Sequence, residues 1–240
     1  MIRISGPAIL DLNTQNDLFA KQGVYTLHNF AAVVPALNAV FQWADKHSVP
    51  VVSTRLHSAS IADRGKTLVV GTPGTEGHKK LPGTLLRRFV ELPVDCGTDI
   101  PVQGFAGAQQ FIFDLTDTDP FVSPRLDRLL SEAEADIWLV MGGPLELSVR
   151  MAVLGLLQRR QKVALIKDGF AERDAYEGEM ALRQIESKNI EWLDAAEVPD
   201  RFAPKRRVLD PARKLRLGRG GMPVLVHRPM RGSTKYRMPR

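Results

Sequence analysis

Short apolar runs alternate with amphipathic stretches along the first 195 residues of the chain. Runs at Ala8–Leu12, Val51–Thr54, Gln110–Phe113, Ile137–Met141 and Lys162–Ile166 have the length and residue types of buried strands. Between them the period changes. Val34, Leu37, Val40, Phe41 and Ala44 share one face of a first helix, Leu126, Leu129 and Leu130 one face of a second, and Met151, Leu154 and Leu157 one face of a third. A fourth helix is predicted over about Ala175 to Glu186, ahead of a short strand near Ile190–Leu193. Strands separated by helices form right-handed βαβ units. The pattern therefore predicts an α/β, doubly wound, mostly parallel sheet covered on both faces. Sites in such sheets form beyond the C-terminal ends of the strands. Here those ends are Asp11 to Asp17, Thr54 to His57, Asp114 to Asp119 and the turn after Met141.

Two stretches break the rhythm. Residues 55–108, with GTPGTEGHKKLPGT, are predicted to make an excursion over the top of the sheet. Residues 195–240 show little helical pattern and hold most of the positive charge. Twelve of the 33 Lys and Arg lie between Pro204 and Arg240 beside one acid, Asp210, a net +11. The other 21 bases and 26 acids give residues 1–203 a net −5. The chain thus divides into a mildly acidic α/β domain over 1–195 and a basic, Pro- and Gly-containing extension over 196–240. No apolar run approaches the roughly 18 residues of a membrane helix, so no membrane partner is expected. The opening MIRISGPAILDL enters a strand at once, which argues against a signal peptide. Cys96 is the single cysteine, which excludes an internal disulfide and fits a reducing compartment. The cytoplasm is the expected location.

Candidate chemistry concentrates in MGGPLELSVR, where a strand runs through Gly142-Gly143-Pro144 and Ser148 opens a helix. Ser148 has two readings: a nucleophile at a strand-to-helix junction, or a helix N-cap. Asp11, ending the first strand, either takes part in chemistry or orients the following turn. Asp17 reads as a cap or ion-pair partner. His57 has no carboxylate or histidine neighbour in sequence and reads as a pocket-lining residue rather than a metal ligand. Asp114, Asp117 and Asp119 read as a solvated acidic loop, and Cys96 is not a nucleophile. Neither a metal nor another cofactor is expected.

Five segments, AILDLNTQNDLF, VPVVSTRLHS, VVGTPGTEGHKKLPGTL, QQFIFDLTDTDPF and MGGPLELSVRMAVLGLLQRRQKVALIKDGF, resemble in order and spacing the isochorismatase-like cysteine hydrolases, which include the nicotinamidases. The resemblance covers about residues 6–195. It implies a Rossmann-like three-layer fold with six parallel strands, usually in an oligomer. It also implies a cysteine nucleophile, an aspartate proton acceptor after the first strand and a lysine after the third. The oxyanion hole would use the backbone N–H of the nucleophile and of the residue four before it, beside a cis peptide. An Asp-x-His pair and a later His would surround a metal. Carried onto this chain, the aspartate is Asp11, the lysine position is Leu115 and the nucleophile position is Ser148. The second oxyanion donor falls on Pro144, which has no N–H. The metal pair becomes Arg55-Leu56-His57 and the later His becomes Thr67. A cis Gly143–Pro144 bond is expected, because an X-Pro bond makes cis inexpensive.

These replacements argue against cysteine-type amidase chemistry. Serine needs an adjacent base that Asp11 supplies poorly, and one missing oxyanion donor costs about 2.7–4 kcal/mol of transition-state stabilisation. Isochorismatases proper hydrolyse a vinyl ether by acid catalysis, so Ser148 alone does not decide against activity; Leu115 counts against that route too. The reading that follows is a member of the family with a lapsed hydrolase site, kept as a binding, regulatory or assembly subunit. An alternative is an active small-molecule hydrolase using Asp11 with Ser148 or water, aided by Arg55, His57 or Arg150. A third reading gives the basic extension, residues 204–240, a nucleic-acid or acidic-protein partner. Val224 to His227 could instead add a strand to a neighbouring copy, and the single aromatic there, Tyr236, offers little base stacking.

Overall fold

The structure, a computed structural model, describes residues 2–94, 97–100 and 107–203. Cys96 and the whole of 204–240, including Val224 to His227 and Tyr236, lie outside the described residues. In chain order the strands are β1 (Ile2–Arg3), β2 (Pro7–Leu12), β3 (Val51–Leu56), β4 (Ala59–Asp63), β5 (Lys66–Val70), β6 (Phe89–Leu92), β7 (Gln110–Leu115), β8 (Ala133–Glu134), β9 (Ile137–Gly142), β10 (Val163–Phe170) and β11 (Glu191–Leu193). The helices are α1 (Asn16–Phe19), α2 (Phe30–His47), α3 (Pro124–Glu132), α4 (Arg150–Gln158), α5 (Ala175–Glu186) and α6 (Val198–Arg201). The main sheet runs β11-β10-β9-β2-β3-β7-β6, and each neighbouring pair is parallel. The α/β, mostly parallel fold is the one the pattern predicts.

Among the described residues the sheet has seven strands, not the six that the resemblance implies. The seventh, β6, comes from the excursion over 55–108 and pairs with the edge of β7. The same excursion holds the antiparallel β4–β5 hairpin. Its two-residue turn, Arg64-Gly65, has φ of 48° and 78°, the left-handed pair that matches the twist of a tight hairpin. KTLVV and FVEL hold apolar residues, but most of their positions are exposed and each run is only four or five residues long, so their pairing depends on tertiary placement rather than on a buried apolar stripe.

Strand alternation sorts the core into two layers. Ile9, Val51, Leu139, Met141, Ala164 and Ile166 face α1 and α2, meeting Leu18, Leu37, Val40, Phe41 and Ala44. Leu10, Val52, Phe111, Phe113, Val140 and Leu165 face α3, α4 and α5. Asp11 shares a face with Ile9, so its carboxylate enters the first layer. Helix α2 buries the expected face, with Val34 at its half-buried margin, and ends at Ser48 in the left-handed region (φ 53°).

The third helix corrects one expectation. Met151, Leu154 and Leu157 do not form its buried face; Ala152, Val153 and Leu156 do, and Met151 is 36% exposed. The segment is apolar almost all round, so two stripes compete on period alone. The stripe Leu145, Val149, Ala152, Val153 and Leu156 wins because a wide π turn at Leu145–Val149 leads into α4 and sets its phase. Replacing Leu156 by Ala is expected to cost about 2–5 kcal/mol by chemical denaturation. Met151→Ala is expected to cost less than about 1 kcal/mol; equal losses would contradict this assignment of the face.

Candidate functional site

At the C-terminal end of β2, Asp11 is fully buried and its carboxylate accepts three side-chain donors. These are Ser53 Oγ (2.7 Å), Thr14 Oγ1 (2.8 Å) and Lys80 Nζ (2.7 Å). Lys80 also donates to Thr14 Oγ1 at 2.6 Å. Gln110 Nε2 donates to Ser53 Oγ at 2.8 Å and to the Thr84 carbonyl at 2.9 Å, extending the network across β3 to β7. Burial pushes the Lys80 ammonium below its usual value, and the adjacent Asp11 carboxylate opposes that.

Lys80 reaches this position because its segment anneals to the loop after β2. Leu81 N–H donates to the Thr14 carbonyl, Asn16 N–H to Lys79 and Asp17 N–H to Gly77. The Asp17 carboxylate, nearly buried, accepts the Gly71 and Val24 N–H groups and so ties the excursion to α1. Leu115, where the family spacing places the lysine, lies five residues after Gln110 on β7 and therefore on the opposite face. It packs with Phe111 and Phe113. The cation beside Asp11 thus comes from a different segment, GHKKL, which fixed spacing along β7 could not indicate.

Ser148 lies inside the π turn after β9 and is fully buried. It is not the N-cap of either helical segment: Pro144 precedes the π turn and Val149 precedes α4. Among the described residues, the hydrogen bond at Ser148 Oγ comes from Asn13 Nδ2 (2.8 Å), which also donates to the Gly143 carbonyl (3.1 Å). A carbonyl only accepts, so the Gly143 contact fixes the orientation of the Asn13 amide. Asn13 Oδ1 accepts from Thr54 Oγ1 at 2.6 Å. The Gly143–Pro144 bond is cis, as expected. Two N–H groups of the loop are engaged within the protein. Gly143 donates to Leu12 and Leu145 to Ala171, both at 2.8 Å, and Pro144 has none to give. Glu146, also nearly buried, accepts the Arg173 N–H through Oε1 while Oε2 lacks a partner, and burial raises its carboxyl above the usual range.

A second cluster stands at the ends of β3 and β7. Arg55 grips Asp114 with two hydrogen bonds, Nε to Oδ1 (2.6 Å) and Nη2 to Oδ2 (3.1 Å), and reaches Glu91 at 3.0 Å. Asp114 is therefore a buried partner of Arg55 rather than part of a solvated loop. Asp117 is exposed, and Asp119 accepts from Phe121 N–H at the turn before α3. His57 Nδ1 lies 3.6 Å from Asp114 Oδ2 and His78 Nε2 lies 3.7 Å from Oδ1. Both separations are too long for a hydrogen bond, and both nitrogens are buried without a partner. Burial foremost, then Arg55, pushes the His78 imidazole below its ordinary value. Of the three positions that the resemblance assigns to a metal, His57 alone keeps a ligand type: Arg55 is a cation, and Thr67 is exposed on the β4–β5 hairpin opposite Ala62.

Residues 7–197 match the isochorismatase domain family. The chain belongs to that family. No curated protein matches it by sequence. Among solved structures, an isochorismatase family protein from Desulfovibrio vulgaris is similar with a TM-score of 0.62 and 16% identity, over 82% of this chain and 98% of that one. A pyrazinamidase from Pyrococcus horikoshii, in complex with zinc, gives 0.59 and 19%, over 78% and 98%. A MAR1 ribonuclease from Caenorhabditis elegans gives 0.55 and 16%, over 82% and 81%. At these identities the likeness is one of fold.

Within this isochorismatase fold, the structure brings Asp11, Gly143, Pro144 and Ser148 to one end of the sheet, with Asn13 bridging the loop to β3. Arg55 and His57 belong instead to the Asp114 cluster. Sequence reasoning missed Lys80, Asn13, His78 and the role of Asp114. HKK in the excursion was the available signal, but nothing local tells which strand end it meets. Removing one partner of a buried ion pair leaves an uncompensated charge. Lys80→Met and Asp11→Asn are each expected to cost about 3–5 kcal/mol of folding stability. The double variant is expected to lose less than the sum; additive or negligible losses in denaturation would show that the pair does not hold the fold.

Proposed function

We propose that this chain is an isochorismatase-family protein whose hydrolytic site has become a closed structural network, kept as a binding, regulatory or assembly subunit. One observation carries the reading: Ser148, at the nucleophile position, accepts a hydrogen bond from the Asn13 amide and touches no described base. A serine attacks only when a base takes its proton. Asp11, the nearest family counterpart, spends its oxygens on Ser53, Thr14 and Lys80. Arg55 and His57 are with Asp114, and Arg150 reaches Gln184. Asp11 and Ser148 are both fully buried, which leaves no exposed surface on either for a substrate carbonyl to meet.

A second reading, an active hydrolase with rebuilt chemistry, is favoured by the Asp11–Lys80 pair, which sets a carboxylate against an ammonium as the family's acid–base chemistry requires. On either reading we take the protein to assemble with further copies of itself, and the basic extension to carry contacts with polyanions or an acidic partner. The full-length protein assayed on nicotinamide-like amides and isochorismate-like vinyl ethers is expected to show no turnover above the uncatalysed rate. Turnover that Asp11→Ala or Lys80→Ala abolishes would overturn the first reading and establish the second.

A further inference from the structure

We propose that His57, His78 and Asp114 bind one divalent transition-metal ion of the zinc class, in a site separate from the Asp11–Ser148 network. Three side chains from three segments, the end of β3, the excursion and the end of β7, bring one ligand atom each to within 4.8 Å of one another. Ligands of a tetrahedral zinc at roughly 2.0–2.1 Å stand about 3.3 Å apart. His57 Nδ1 stands 3.6 Å from Asp114 Oδ2 and His78 Nε2 3.7 Å from Oδ1, so each imidazole faces its own carboxylate oxygen and a shared ion would draw the three groups inward from these spacings. The two imidazole nitrogens aimed at Asp114 are buried and unpartnered. Protein interiors rarely leave two such groups facing one carboxylate, and a shared cation satisfies all three at once. Edge-to-face packing of the rings, 5.2 Å between centroids, holds their mutual orientation.

Arg55 supports the site rather than blocking it. Each carboxylate oxygen of Asp114 has two lone pairs, and Arg55 uses one on each, fixing the plane of the group as supporting donors do for metal-bound carboxylates. Glu91 offsets the charge of Arg55, so the cluster without a metal carries a net negative charge when both imidazoles are neutral. Two imidazoles and a carboxylate suit zinc, cobalt or iron better than magnesium or calcium. Three protein ligands leave a coordination position open. His57 stands where the family resemblance places a metal histidine; His78 and Asp114 do not, and they take the place of the ligands replaced at Arg55 and Thr67.

The test is titration of the metal-free, full-length protein with zinc by calorimetry and with cobalt by visible absorption. The expected result is one tight equivalent per chain with a four- or five-coordinate cobalt spectrum. His57→Ala and His78→Ala should each weaken binding at least tenfold, while His47→Ala should not. Because the nitrogens facing Asp114 make no hydrogen bond without metal, both variants lose ring packing alone and should stay folded, by circular dichroism, at the temperature of the titration, which keeps them decisive should Asp114→Asn fail to fold. Zinc should raise the melting temperature of the parent and of neither histidine variant. Absence of stoichiometric binding, or binding that survives both substitutions, would overturn the site. The readout is metal binding, so it is independent of whether the Asp11 network hydrolyses anything.

Discussion

The buried pair between Asp11 and Lys80 ties the excursion to the middle of the sheet, alongside the backbone bonds that join the same segments. Asp11 ends β2, near the middle of the parallel sheet, where apolar residues from both layers leave no water to solvate a carboxylate. A charge there persists only with a countercharge and hydrogen bonds. Ser53 of β3, Thr14 of the following loop and Lys80 of the excursion supply them. To deliver its ammonium, the segment around Lys80 must lie along the loop after β2. That anneals a long irregular excursion onto the strand ends. The same segment then presents His78 to Asp114, so one docking event fixes the neighbourhoods of both polar clusters.

Much of the sheet was legible because its strands bury both faces. Ile137–Met141 reads as a continuous apolar run and Ala8–Leu12 as one broken only by Asp11, and each recurs with a change of one residue at one end. Strand β6 was not legible: three of its four residues are exposed and its pairing with β7 depends on tertiary placement. Helix α4 failed in phase, not in existence, because an all-round apolar helix does not reveal which stripe it buries.

The site was legible only where chain order and space coincide. Asp11 and Ser148 fall where the family pattern puts them, and the cis Gly143–Pro144 bond follows from the loop sequence. Lys80 and His78 were invisible to that reasoning, since spacing along a strand cannot register a residue brought in by a loop 30 residues away. Leu115 thus leaves the β7 position without a cation, while Lys80 brings one to Asp11 from the excursion. The Ser148 hydroxyl accepts from Asn13 and meets no described base, on a loop where Gly143 N–H is bonded to Leu12, Leu145 N–H to Ala171, and Pro144 has none to give.

Closure of this network is the central claim, and a thiol placed at its centre reads it directly. In a Cys96→Ala, Ser148→Cys double variant the introduced thiol is the only one in the chain. Its rate of alkylation under native conditions measures both access and thiolate character. The account predicts modification no faster than global unfolding, with protection lost only as denaturant unfolds the domain. Rapid alkylation of the native protein near neutral pH would contradict it, by showing an open site that activates a nucleophile.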